Sequence, residues 1–247
     1  MYIFVVKNRN YTMDYVIIAA GQGSRIFSES GEEKPMLSIC GVPMIERLIR
    51  VLLSVESGTV HVVTNPAMKE TNALLRRLSE EEGLPVIFRP IVSDNSFYSL
   101  DEAARGVGGR FVAFTVDSVF KTDDLRSFVE RFKTLPAGEV LMGVTEYVDD
   151  ESPLWYRLNV ERTEALECRK GGEGFGGTPV VSTGIYGIDG STMDYARRGR
   201  YPASTSDFQN ILAESNHVTV RPFFFDHAFD VDHISDVERA NLFFQGK

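Results

Sequence analysis

The chain has 247 residues, with 43% hydrophobic and 25% charged residues, which fits a water-exposed globular fold with one sizeable core. Its 26 Lys and Arg against 35 Asp and Glu give a formal charge of −9, which argues against a nucleic-acid binder. The two cysteines, Cys40 and Cys168, supply neither a disulfide framework nor a metal cluster, and read as reduced thiols in a cytoplasmic protein. The apolar run before Lys7 is too short for a signal segment or a membrane span. Residues 1–12 read as an N-terminal extension and 13–245 as one domain.

In chain order, Val16-Ile17-Ile18-Ala19-Ala20 reads as a buried strand that ends abruptly in Gly21-Gln22-Gly23-Ser24-Arg25. Glycines let the backbone turn tightly and approach a ligand closely. N–H groups in such a concave turn suit an anion, and Arg25 adds a planar, permanently charged fork for phosphate oxygens. Lys34 offers a second cation nearby. No Lys-Ser/Thr pair follows the last glycine, which excludes a P-loop, and Ile26 stands where the dinucleotide fingerprint needs its third glycine.

Met44, Ile45, Leu48, Ile49, Leu52 and Leu53 mark a helix face after Pro43. Val60–Val63 follows as a strand, 66–82 as a helix, Val86-Ile87-Phe88 as a strand, 99–107 as a helix and 111–116 as a fourth strand. A helix over 125–132 and a strand over 140–144 precede a looser region, which reads as a variable acceptor-side insertion at about 146–180. Gly171–Gly177 is a flexible loop by composition. A strand over 180–188, a helix capped by Ser204 or Thr205, a strand over 218–225 and a helix over 235–244 complete the chain. The alternation predicts a single-domain α/β fold, with a mixed, mostly parallel sheet flanked by helices.

In an open α/β sheet, ligands bind outside the carboxyl ends of the strands. Asp117 ends the fourth strand there, and its expected task is a hard cation that prefers oxygen ligands and bridges phosphates. Asp230-Val231-Asp232 follows a late strand, and residues two apart on extended chain face the same way. His233 beside them reads as a hydrogen-bonding neighbour, since His61, His217 and His227 lack zinc-ligand spacing. Polar side chains in Ser93-Asp94-Asn95-Ser96 suit a base edge or ribose, or a helix cap. Tyr147, Trp155, Tyr156 and Phe175 suit either an acceptor pocket or the core.

AAGQGSR followed by KPMLSICGVPMIERLI resembles the opening signature of the nucleotidyltransferase superfamily, L-A-A-G-x-G-x-R, a short loop, then K-P-x-x-x-I-x-G-x-P-M-I. That group includes sugar-phosphate nucleotidyltransferases, phosphocholine cytidylyltransferase-like proteins and molybdenum-cofactor guanylyltransferases. The resemblance implies a Rossmann-like nucleotide-diphospho-sugar transferase fold. It also implies Mg²⁺ as cofactor, a nucleoside triphosphate and a small phosphorylated acceptor as substrates, and pyrophosphate as product. By this resemblance Ala19, Ala20, Gly21, Gly23, Ser24, Arg25, Lys34, Asn95 and Ser99 bind the nucleotide, with Arg25 and Lys34 catalytic. DVDHISDVERA is similar to the family's late E/D-I-D-x-x-x-D-L motif, which makes Asp232 the second metal ligand beside Asp117 and Asp230 a supporting acid.

Ser182-Thr183-Gly184-Ile185-Tyr186 resembles the family's acceptor-side strand, which places Thr183 and Gly184 near the acceptor; Trp155 and Tyr156 are the aromatics expected to join them. The Glu-Lys-Pro that holds the sugar phosphate in hexose-phosphate members is missing, and Arg169 or Lys170 is the available replacement. Two other readings share some of these features. One is a glycosyltransferase of related topology that uses Asp230-Val231-Asp232 as its metal motif. The other is a non-catalytic nucleotide-binding regulatory module.

Overall fold

The computed structural model describes residues 12–21, 23–148, 153–159, 164–170, 180–215 and 217–246. The expected extension and the Gly171–Gly177 loop with Phe175 lie outside the described residues, apart from Thr12. The first half of the chain runs β1 (Asp14–Ala19), α1 (Ser24–Ser30), a 3₁₀ turn (Lys34–Met36), β2 (Ser38–Ile39), β3 (Val42–Pro43), α2 (Met44–Val55) and β4 (Val60–Thr64). It continues with α3 (Lys69–Arg76), β5 (Val86–Pro90), α4 (Ser96–Ala103), β6 (Arg110–Thr115), β7 (Ser118–Phe120) and α5 (Thr122–Thr134). The second half holds β8 (Val140–Thr145), β9 (Leu154–Asn159), β10 (Glu164–Lys170), β11 (Val180–Asp189) and α6 (Gly190–Arg198). It closes with α7 (Thr205–Glu214), β12 (Val220–Phe224), β13 (Ala228–Asp230) and α8 (Ile234–Phe244).

Nine strands form the main sheet. β5, β4, β1 and β6 lie side by side in parallel. β11 joins β6 antiparallel, and β8 joins β11 antiparallel with β12 parallel beyond it. β9 pairs with the start of β11, and β10 pairs with β9. The pairings leave only β10 and β11 running against the other strands, so the mixed sheet is mostly parallel, as the alternating pattern predicts. The region from 146 to 180 contributes the antiparallel pair β9 and β10 to this sheet. Their partly exposed, polar sequences gave no clean alternation to read.

β1 is buried on both faces, which is why its sequence is a continuous apolar run rather than an alternating one. Tyr15, Ile17 and Ala19 pack with α2 and α5 through Ile45, Leu48, Leu52, Phe128 and Phe132. Val16 and Ala20 face the opposite core, with Phe97, Leu100, Met193, Phe208 and Leu212 from α4, α6 and α7. A third, smaller core of Ile26, Leu37, Ile39, Met44, Val119, Phe229, Val231 and Ala240 gathers α1, the β2–β3 and β7–β13 ribbons and α8. This small core holds the segments that carry Arg25 and Asp232 against the sheet.

α6 was not legible because only Thr192, Met193 and Ala196 of its nine residues are buried. α1 likewise buries only Ile26. Ser204 caps α7 as expected, its Oγ accepting from Asp207 N. α4 begins at Ser96, three residues before the expected start, because the Asn95 side chain accepts from Tyr98 N and sets the first turn there.

Gly184 sits where β11 changes neighbours, from β9 to β6. Its φ is +70°, and a Cβ there would stand 2.1 Å from Thr115 Oγ1 and 2.4 Å from Ser118 Oγ. Gly83 has the same φ with nothing within 4 Å. Gly184→Ala is therefore expected to lower unfolding free energy by about 2–5 kcal/mol, combining backbone strain and overpacking. Gly83→Ala is expected to lose only about 1–2 kcal/mol. Equal losses in urea denaturation would show that the Thr115–Ser118 contact does not constrain this position.

Candidate active site

β1, β4 and β6 end on one edge of the sheet, and this edge positions the charged groups. Lys34 opens the 3₁₀ turn Lys34–Met36 after α1, with Pro35 buried behind it. Its Nζ donates to Asp117 Oδ2 at 2.5 Å and to Asp232 Oδ1 at 2.8 Å. Gly23, with φ +55°, lies so close that an added Cβ would stand 2.9 Å from Lys34 Cβ. The glycine is thus required by the lysine's position as well as by the turn. Burial works against the Lys34 charge, but Asp117 and then Asp232 outweigh it and hold the ammonium above its ordinary range. Burial also opposes the charge of Asp232, and Lys34 outweighs it, with Arg25 and His233 contributing, so its carboxyl lies below the ordinary 3.8.

Val231 is fully buried between Asp230 and Asp232, and both aspartates line the same cavity, as alternation along extended chain requires. Asp236 accepts from the backbone N–H of both Asp232 and His233, which fixes the turn into α8. Glu29 of α1 contacts the His233 ring and accepts from Ile234 N. α1 is thereby tied to the Asp232 segment, and His233 acts as a hydrogen-bonding and capping residue.

Two cavities meet at this triad. One, of about 410 Å³, is lined by Ala19, Ala20, Gly21, Gly23, Lys34, Asn65, Ser93, Asn95 and Ser99. The other, of about 300 Å³, is lined by Arg25, Tyr147, Leu154, Ser182, Gly184, Tyr186, Ser204–Ser206, Phe229, Asp230 and Asp232. Thr115, Asp117 and Ser96 line both. The first cavity thus gathers nearly all the expected nucleotide residues. Arg25 opens instead into the second, beside Asp232, and Ser24 lines neither.

The expected acceptor residues are brought together only in part. Gly184 lines the second cavity. Thr183 is buried, and its Oγ1 has no hydrogen-bond partner among the described residues. Tyr156 is core: it is 4% exposed, and its hydroxyl donates to Gln209 Oε1. Trp155 lines neither cavity, and as its strand neighbour it faces the opposite side of β9. The Lys170 side chain lies outside the described residues. Sequence reasoning missed Asn65 and Ser204–Ser206 as cavity residues. Asn65 directly follows the last residue of β4, a position the carboxyl-end rule could have flagged; Ser204–Ser206 reach the site only through the placement of α7.

The donor set suits a hard divalent cation. Asp117 Oδ1 is buried with no hydrogen-bond partner among the described residues, so one carboxylate oxygen remains available for such an ion. No group of three His, Cys, Asp or Glu side chains forms a protein-only metal cage among the described residues. Two carboxylates with phosphate oxygens and water is the arrangement Mg²⁺ uses when it arrives with a nucleotide.

The profile of the MobA-like NTP transferase domain matches residues 15–177. The chain belongs to the MobA-like NTP transferase family. It is a nucleotidyltransferase by family, which favours that reading over the glycosyltransferase one. Among curated proteins, none matches the chain in sequence. The fold is similar to that of the inositol-1-phosphate CTP transferase from T. maritima. That likeness has a TM-score of 0.75 at 17% identity, covering 95% of this chain and 97% of the other. It is also similar to a candidate glucose-1-phosphate thymidylyltransferase from Bacillus anthracis, solved with a sucrose. Here the TM-score is 0.77 at 20% identity, covering 94% and 95% of the two chains. No helix among the described residues is long and apolar enough to cross a membrane.

The ion pair has a pH signature. Asp232 is depressed in the fold, so its contribution is present above 3.8 and is lost as pH falls through the folded value. Lys34 is raised, so its contribution is present below 10.5 and is lost as pH rises beyond the folded value. Asp232→Asn is expected to lower the melting temperature near neutrality and to flatten the decline in stability below 3.8. An unchanged acid limb in melts across pH would show that Asp232 is not coupled to Lys34.

Proposed function

We propose that the chain transfers a nucleoside monophosphate from a nucleoside triphosphate to a small phosphorylated acceptor, releases pyrophosphate, and depends on Mg²⁺. The observation that carries this reading is the position of Lys34, Asp117 and Asp232 at the wall where the two cavities meet. The cavity beneath the Gly21–Gly23 turn takes the nucleotide, and the hydroxyl-rich cavity under β11 and α7 takes the acceptor.

Backbone N–H groups of the turn bind the triphosphate, and Asn65, Ser93 and Ser99 stand where a ribose or base would lie. An oxygen of the acceptor phosphate attacks the α-phosphorus, a new P–O bond forms, and the bond to the pyrophosphate leaving group breaks. An ionised phosphate is already a nucleophile, so no side chain has to remove a proton. Lys34 sits at the junction, donates to the α-phosphate oxygens and offsets the charge that develops there. Arg25 supplies positive charge from the acceptor side. Asp117 and Asp232 would hold Mg²⁺, which would supply charge neutralisation for the phosphates. Cys40 and Cys168 are both free thiols, which suits the cytoplasm.

The test is pyrophosphate release with each of the four common nucleoside triphosphates against a panel of sugar phosphates, cyclitol phosphates and phosphocholine. Lys34→Ala is expected to lower kcat by about 10²- to 10³-fold, and Asp117→Ala to abolish turnover at moderate Mg²⁺. Full activity in either variant would sink the reading. Because Arg25 faces the second cavity, Arg25→Ala is expected to raise KM for the acceptor more than KM for the nucleotide. The reverse split would move Arg25 to the triphosphate.

A further inference from the structure

Glu33 immediately precedes Lys34, yet its side chain turns away from the cavity. Its Oε2 accepts from Thr71 N at 2.8 Å and from Thr71 Oγ1 at 2.6 Å, and its Oε1 accepts from Glu70 N at 3.1 Å. Glu70 and Thr71 lie in the first turn of α3, where backbone N–H groups have no partner within the helix. Met68, at the N-cap position, makes no side-chain cap, so a carboxylate from a separate segment does the capping. Thr71 is fully buried, so this anchor is fixed in the core. The Glu33 carbonyl also accepts from Met36 N at 2.7 Å, closing the 3₁₀ turn that begins at Lys34.

The same turn of α3 is tied to the other wall of the nucleotide cavity. Asn72 accepts from Thr64 Oγ1 at 2.5 Å and donates from Nδ2 to Asn65 O at 3.0 Å. The start of α3 therefore holds both the Lys34 turn and the end of β4.

We propose that Glu33 is a positioning residue: its bridge to Glu70 and Thr71 sets Lys34 in register with Asp117, Asp232 and the bound nucleotide. The effect on turnover rests on the nucleotidyl-transfer reading, whereas the effect on Lys34 itself does not. A long lysine side chain reaches two carboxylates only if its backbone is held, and the residue beside it provides that hold. A misplacement of about 1 Å in a reacting constellation costs about 10²-fold in rate.

The test compares Glu33→Ala, Glu33→Gln and Thr71→Val with the unmodified chain by two readouts. The first is the rate at which an N-hydroxysuccinimide ester acylates Lys34, resolved by peptide mass spectrometry with Lys121 as internal control. Glu33→Ala is expected to raise Lys34 labelling several-fold. Glu33→Gln, which keeps one acceptor but sets an amide NH₂ against a backbone N–H, is expected to fall between. The second readout is steady-state turnover. Glu33→Ala is expected to lower kcat about 10- to 100-fold with little change in nucleotide KM. On a Lys34→Ala background it is expected to change kcat less than about twofold, because the two act as a unit.

A lowered melting temperature with wild-type Lys34 labelling and wild-type kcat would make Glu33 a structural cap only and overturn the proposal. If Glu33→Ala does not fold, the same comparison is decided by Glu33→Gln and Thr71→Val. Increased Lys34 labelling in a chain whose unmodified form releases no pyrophosphate would uphold the positioning and overturn the transfer reading.

Discussion

Two aspartates, 115 positions apart in sequence as Asp117 and Asp232, share one ammonium, and the site is organised by that contact. Without Lys34 the fold would bring two carboxylates together in a partly buried position, where their repulsion and desolvation both oppose ionisation. The ammonium offsets both costs, and Asp117 and Asp232 together hold its proton affinity above the ordinary lysine range. Partly buried ion pairs are weak evidence for stability, because desolvation cancels much of the attraction. Their value here is geometric. They fix the meeting point of three segments, from the turn after α1, the end of β6 and the entry to α8.

The sheet makes that meeting point a junction between two cavities. Parallel strands put the ends of β1, β4 and β6 on one edge, where glycine-rich and polar turns form the wall of the larger cavity. β11 runs the other way, so its beginning lies at this same edge and presents Ser182 and Gly184 to the second cavity. Gly184 is the one residue size that fits against the Thr115–Ser118 hydroxyl pair, where β11 leaves β9 and joins β6. The wall of the second cavity is completed by the start of α7, and the backbone N–H of Thr205 donates to Ser96 Oγ at 2.9 Å. Ser96 thereby joins the starts of α4 and α7 at a position shared by both cavities.

The small third core explains how short, polar segments are held to the accuracy this chemistry requires. α1 has seven residues and β13 three, too few to be stable alone. Ile26, Val119, Phe229 and Val231 bury them together, and each buried side chain of that size contributes on the order of 1.5–3 kcal/mol. Arg239 lies over the Phe229 ring, 4.2 Å from its centroid, and donates to Asp230 O at 3.4 Å. These contacts hold the acidic segment close to β7, so Asp117 and Asp232 extend from the same end of one packed ribbon, one from each strand.

The sequence alone determined the alternating fold, the glycine turn at the strand ends and the acidic positions, because each leaves a local signal. Buried parallel strands read as unbroken apolar runs, the Gly21–Gly23 turn reads through its glycines, and a carboxylate directly after an apolar strand has no place in a core. The late acidic segment was legible through its spacing, since Asp230 and Asp232 flank a residue that had to be buried. Only the tertiary structure decided which aromatics face a ligand. Trp155 and Tyr156 look equivalent in sequence, but the register of β9 against β11 puts Tyr156 into the core against Gln209. It also decided that Arg25 opens into the second cavity, that Ser204–Ser206 line it, and that Glu33 caps a helix 38 residues away from it in sequence. Contacts of this kind depend on where separate elements dock, and neither periodicity nor motif spacing encodes the distance between a side chain and a helix it is not part of.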